Sequence, residues 1–188
     1  MTRVRSGLIL ALVMASAAVV FASGNITINA IPTEGRVKLS FNARDCWNLA
    51  TRQFLSAGTL VIFDYDVELR RPGSAPWLGL FDSVLARTAV STTAKFDTLV
   101  RKYSVSRMRS GSVFASDTFK QEAEVKDWLT TFASIELEPT APLEPNAEYY
   151  VYVVLTIRPK KSTPSLFSIL PFGREECYGR QSFTYIAR

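Results

Sequence analysis

Three carboxylates recur at every second residue of "LVIFDYDVELRR" (Leu60–Arg71): Asp64, Asp66 and Glu68. On a β-strand, residues two apart share a face and lie roughly 6.5–7 Å from one another. Carboxyl groups about 5–9 Å apart can serve as acid and base in glycoside hydrolysis, so the row is a candidate for a carboxylate- or metal-dependent hydrolase. Metal binding fits less well. Calcium takes about six or more oxygens at roughly 2.4 Å, and neighbours along one flat strand stand too far apart to share a small ion. The favoured alternative is structural. Arg36 and Lys38, or Arg101 and Arg107, on adjacent strands would pair with the acids. Such cross-strand pairs contribute roughly 0.2–1 kcal/mol each and hold the register.

The rest of the chain limits the chemistry further. It contains no histidine, which excludes Ser-His-Asp and Cys-His catalysis, histidine metal sites and histidine acid/base work. No Gly-x-Ser-x-Gly elbow, Ser-x-x-Lys motif or glycine-rich phosphate loop is present. No catalytic residue, metal ligand or cofactor is therefore expected. The two cysteines, Cys46 and Cys177, read first as a disulfide in an oxidising compartment. The alternative is a pair of buried, small apolar side chains.

Two further segments could bind. "RKYSVSRMR" sets Arg101, Lys102, Arg107 and Arg109 around Tyr103, a pattern that can hold polyanions or simply form a charged strand face. "RPKKSTPSLFSILPFG" places Arg158, Lys160 and Lys161 before Leu166, Phe167, Ile169, Leu170 and Phe172. Exposed, those apolar residues would suit a membrane surface or a protein partner. Turned inward, which is the favoured reading, they would plug one end of the core.

These segments need a scaffold. Arg3 and Arg5 precede the apolar run Gly7–Phe21, and Ala22, Ser23 and Gly24 follow it. This is the pattern of a secretory signal over residues 1–22, with retention as an anchor the minor alternative. Residues 23–188 then form one domain. Loss of two arginines leaves 20 basic against 17 acidic residues, a balance of +3 that does not argue for nucleic acid. "ITINAIPTEGRVKLSFNAR" predicts a hairpin about Glu34-Gly35, with Val37, Leu39 and Phe41 on one face. Asp45 caps a predicted helix near 45–57 that stops at Gly58. Residues 77–111 predict two or three strands. Asp117 or Thr118 caps a second helix near 118–133, where Val125, Trp128, Leu129 and Phe132 repeat at helical spacing. "YYVYVVLTI" is apolar on both faces and predicts a central strand, and "QSFTYIAR" a last one. The fold expected is mostly β (α+β): an antiparallel sheet or two-sheet sandwich of about seven or eight strands with two helices.

The order of these pieces resembles a family of exported bacterial proteins known as domain of unknown function 4390. The resemblance rests on "RQFLSAG" running into "TLVIFDYDVELRR", on Trp77, on "KFDTLVRKYSV", on a tyrosine-rich strand, and on Leu170-Pro171 near the C-terminus. Paired cysteines are not part of that pattern. The resemblance implies an exported, periplasmic, compact β-rich domain and assigns no activity or site residue. A non-catalytic cell-envelope binding or interaction domain is the function expected, acting on an envelope protein or a lipid surface.

Overall fold

Alternation of apolar and polar residues produces most of this fold. The computed structural model describes residues 26–33, 35–73, 82–160 and 175–186. Strands β1 (Thr27–Thr33) and β2 (Arg36–Asn42) form the expected hairpin, and Gly35 takes the left-handed conformation its turn requires (φ 81°). Val37, Leu39 and Phe41 are buried, while Arg36 and Lys38 face water. β3 (Val61–Arg71), β4 (Ser83–Asp97), β5 (Lys102–Arg109) and β6 (Ser112–Phe119) follow as an antiparallel meander. β7 (Thr131–Leu137) returns to β2, and β8 (Glu148–Pro159) and β9 (Glu175–Thr184) add to the other side of β3. The result is a six-stranded sheet of order β6-β5-β4-β3-β8-β9 and a three-stranded sheet of order β1-β2-β7.

The architecture is mostly β with two helices, as expected, but both helices start later than the sequence suggests. Arg44–Cys46 winds as a 3-10 turn, so helix α1 (Leu49–Ser56) is capped by Asn48, not Asp45. The Asn48 side chain accepts the Thr51 N–H at 2.9 Å. Asp117 and Thr118 lie inside β6, paired to β5, so α2 (Glu122–Thr130) is capped instead by Gln121 with Glu124 in a capping box. Residues 131–133, expected as helix, open β7 directly after the last helical residue.

The inner faces of the two sheets share one core. β3 supplies Val61, Phe63, Tyr65, Val67 and Leu69, and β8 supplies Tyr149, Val151, Val153, Leu155 and Ile157. Phe41, Tyr65 and Phe132 meet at the centre. Their ring centroids lie 5.2 Å apart for Phe41–Tyr65, 5.0 Å for Tyr65–Phe132 and 4.7 Å for Phe41–Phe132. Ring pairs of this kind add about 0.5–1.5 kcal/mol beyond area burial. At one side β1 crosses close to β9. The Ile26 N–H donates to the Tyr178 carbonyl at 3.3 Å, and the Ala30 N–H to Gln181 Oε1 at 2.9 Å.

Gly179 makes that crossing possible, because a Cβ there would stand 2.4 Å from the Ile26 carbonyl oxygen. Gly179→Ala is expected to lower stability by about 1–3 kcal/mol in urea denaturation, as overpacking does. An unchanged midpoint would mean that β1 does not approach β9 so closely.

Candidate functional site

The alternation in β3 divides its side chains cleanly. The odd residues from Val61 to Leu69 are buried, and Asp64, Asp66 and Glu68 stand half-buried on the outer face of the six-stranded sheet. β3 lies between β4 and β8, so the partners of the acids come from those two strands. Asp64 accepts from the Ser91 hydroxyl at 2.6 Å and from Arg158 Nε at 2.7 Å. Asp66 accepts from Arg87 Nη2 at 3.0 Å. Glu68, 12% exposed at its side chain, accepts from Arg70 at 2.5 Å and lies 3.5 Å from Arg87. The ladder exists, but not with the arginines anticipated. Arg36 and Lys38 belong to the other sheet, where they reach Glu136, and Arg36 also reaches Glu138. Among the described residues, no group of three or more acidic or cysteine side chains is placed to hold a metal ion. An open groove between β4 and β7, lined by Arg109, Glu136 and Glu138, meets the row only through Arg87.

The second candidate, the basic patch, comes apart in space. Arg101 and Lys102 are exposed, and Arg109 lies over the Phe114 ring at 5.7 Å. Arg107 turns inward. Its guanidinium sits 4.5 Å from the Trp128 ring centre and 4.6 Å from that of Phe132, and it donates to the carbonyls of Trp128 and Thr131. Burial pulls its pKa below the ordinary guanidinium value, and Tyr65 partly offsets this. It is a structural cation and cannot serve a polyanion.

Of the third candidate, Arg158 is committed to Asp64 and Lys160 follows the end of β8, its N–H donating to the Leu60 carbonyl at 2.7 Å. Lys161, Leu166, Phe167, Ile169, Leu170 and Phe172 lie outside the described residues, as does Trp77. Cys46 and Cys177 are both buried. Both act on Tyr65, whose hydroxyl pKa is pushed well above the ordinary value, chiefly by burial.

The sequence reading passed over a group beside the acidic row. Tyr150 and Tyr152 of β8 point to the outer face, opposite Arg70 and Glu68. Arg180 of β9 stacks 3.8 Å from the Tyr150 ring centre, and Arg70 lies 5.4 Å from that of Tyr152. Tyr178, 53% exposed, continues the surface with its ring 6.4 Å from Tyr152. The Tyr150 hydroxyl donates to Asp82, which also accepts the Gly73 N–H at 2.8 Å. These two bonds, the tyrosine's first, hold the Asp82 carboxyl below its usual range. The signal was the tyrosine at every second residue in "YYVYVV", where alternation was hidden because the intervening residues are apolar too.

With this arrangement of sheets and strands, the sequence pattern of a family described as Domain of unknown function (DUF4390) matches residues 24–178. The chain belongs to that family. No curated protein and no solved structure matches it. The matched span runs through β1 to the first part of β9, so every strand of the acidic row and its partners lies within it.

A ladder and an active site respond differently to neutralisation. Asp64→Asn and Asp66→Asn are expected to cost about 0.2–1 kcal/mol each in denaturant unfolding. Glu68→Gln, the least exposed, should cost more, on the order of 1–3 kcal/mol. Three variants as stable as the parent would contradict the structural role.

Proposed function

We propose that this chain is an exported, non-catalytic interaction domain of the bacterial cell envelope, cleaved from the leader over residues 1–22. The observation that supports the reading best is the state of the outer sheet face. Each carboxylate of the acidic row is already neutralised by an arginine, which suits a fixed surface better than a proton-transfer site. Beside the row, Tyr152 and Tyr178 lie among Arg70, Arg87 and Arg180. Tyrosine and arginine are the residue types enriched where proteins bind one another. A flat surface of rings and guanidinium groups loses little conformational freedom on binding, because ring stacking and ion pairs already hold it. The partner we propose is accordingly an envelope protein. In that compartment Cys46 and Cys177, both near Tyr65, are the pair we propose to be oxidised.

Photo-cross-linking from position 178 of the exported chain tests this. The expected result is one discrete envelope-protein adduct that disappears with Arg180→Glu and does not form from Glu124 on α2. The purified chain, weighed without reductant, should lack two hydrogens. Adducts indifferent to Arg180→Glu, or hydrolytic turnover abolished by Asp64→Asn, would contradict the reading.

A further inference from the structure

Most cations of the described chain have a carboxylate or an aromatic ring beside them; of the six that have neither among the described residues, five are exposed and the sixth, Lys126 of α2, is half-exposed. Arg36, Lys38, Arg44, Arg52, Arg70, Arg71, Arg87 and Arg158 have carboxylate partners, and Arg107, Arg109 and Arg180 lie on aromatic rings. Lys95, Arg101, Lys102, Lys120 and Lys160 are exposed, and none of them forms an ion pair with a described carboxylate. These five gather at one end of the six-stranded sheet. Val61 pairs there with Ala94 and Pro159, Asp97 with Lys102, and Tyr103 with Phe119, which precedes Lys120.

The β4–β5 turn projects from that same end. Leu99 is 93% exposed and Val100 61%. Hairpin turns are usually built from glycine, asparagine, aspartate, proline or serine, so two adjacent aliphatic residues at a tip are unusual. The turn has a defined shape. Asp97 Oδ1 accepts the N–H groups of Leu99 at 2.9 Å and Val100 at 3.2 Å, and Arg101 adopts the left-handed conformation (φ 52°). Below it the Phe96 and Tyr103 rings meet at a tilt of 44° with centroids 4.6 Å apart, and Gly58 at the end of α1 is close to the Phe96 carbonyl. Of the acids at this end, Asp97 accepts these two N–H groups, Glu122 is held by Arg52 and Trp47, and Glu124 accepts the Gln121 N–H, while Asp117 and Glu176 form no ion pair among the described residues.

We infer that the Leu99–Val100 tip and its collar of Lys95, Arg101, Lys102, Lys120 and Lys160 form a docking point for an anionic lipid bilayer. The collar meets the negative headgroups, and the two aliphatic side chains enter the boundary below them. Each part needs the other. Two side chains remove too little apolar surface from water to hold a domain, and cations alone are held loosely and screened within about 10 Å at ordinary salt. Lys and Arg beside an anionic leaflet supply the attraction that the small apolar tip lacks. The tip is held by its own hydrogen bonds, so inserting it orders no loop. This inference rests on the envelope location proposed above, where such a leaflet is the nearest large anionic surface.

The test places a polarity-sensitive fluorophore at Leu99→Cys in the full chain, the native cysteines being buried, and a control fluorophore at Val113→Cys. Vesicles of phosphatidylethanolamine and phosphatidylglycerol should brighten and blue-shift the Leu99 probe but not the Val113 probe. Lys95→Glu with Lys102→Glu should raise the half-maximal vesicle concentration by about tenfold or more. A Leu99 probe that stays water-like while the chain floats with the vesicles would overturn the inference. So would equal response of both probes, equal response to phosphatidylcholine vesicles, or the same response to dextran sulfate alone. The envelope location fails by a separate route, if fractionation leaves the chain in the cytosol while the vesicle result stands.

Discussion

Helix α2 ends inside the protein and becomes β7 without an intervening loop, so its last carbonyls have neither solvent nor a glycine cap to satisfy them. The six-stranded sheet supplies the partners. The Tyr65 hydroxyl donates to the Leu129 carbonyl at 2.9 Å, Thr92 reaches the same oxygen at 3.4 Å, and Arg107 holds the carbonyls of Trp128 and Thr131. From the other side the Ala43 N–H donates to the Thr130 carbonyl at 2.9 Å. A buried carbonyl left without a partner costs about 1–3 kcal/mol. This junction therefore joins β3, β4 and β5 of one sheet to β7, the strand that completes the other. The Phe41–Tyr65–Phe132 contact sits against it.

Closure of the inner face leaves the outer face and the sheet ends open to solvent. On the outer face, the acids of β3 are neutralised by Arg70 of the same strand and by arginines of the two flanking strands. The acids of β3 are bound from β4 through Arg87 and Ser91 and from β8 through Arg158. They thus mark the register of the three central strands. A second exchange holds the Tyr150 end, where Asp82 ties Tyr150 to Gly73 and Arg71 grips Glu144 with both terminal nitrogens.

Much of this was legible in the residues. Period-two alternation identified β3 and β2 and their inward faces, and i, i+3, i+4 spacing identified α2. β6 escaped because it is an edge strand exposed along most of its length, so no buried face imprints alternation on "SVFASDTF". Its aspartate and threonine then looked like a helix cap. β7 escaped because Phe132 satisfies both the helical period and the strand that follows it. The counter-ions of the acidic row depend on which strands flank β3, and nothing local in "LVIFDYDVELRR" says that β8, far along the chain, is one of them. Arg107 illustrates the same limit. In "RKYSVSRMR" it resembles its neighbours, and only the placement of Trp128, Phe132 and two carbonyls over β5 draws it half into the interior.

Native-state hydrogen exchange tests the dependence on the α2–β7 junction most directly. Amides of β7 and of the last turn of α2 should exchange in one cooperative unit with those of β3, β4 and β5. Arg107→Met, which keeps the apolar bulk and removes the donors, should let α2 and β7 open at a lower free energy than β3 and β4, which retain their protection. If β7 already exchanges independently in the parent protein, or if Arg107→Met leaves the unit intact, the two sheets are not held together through this junction.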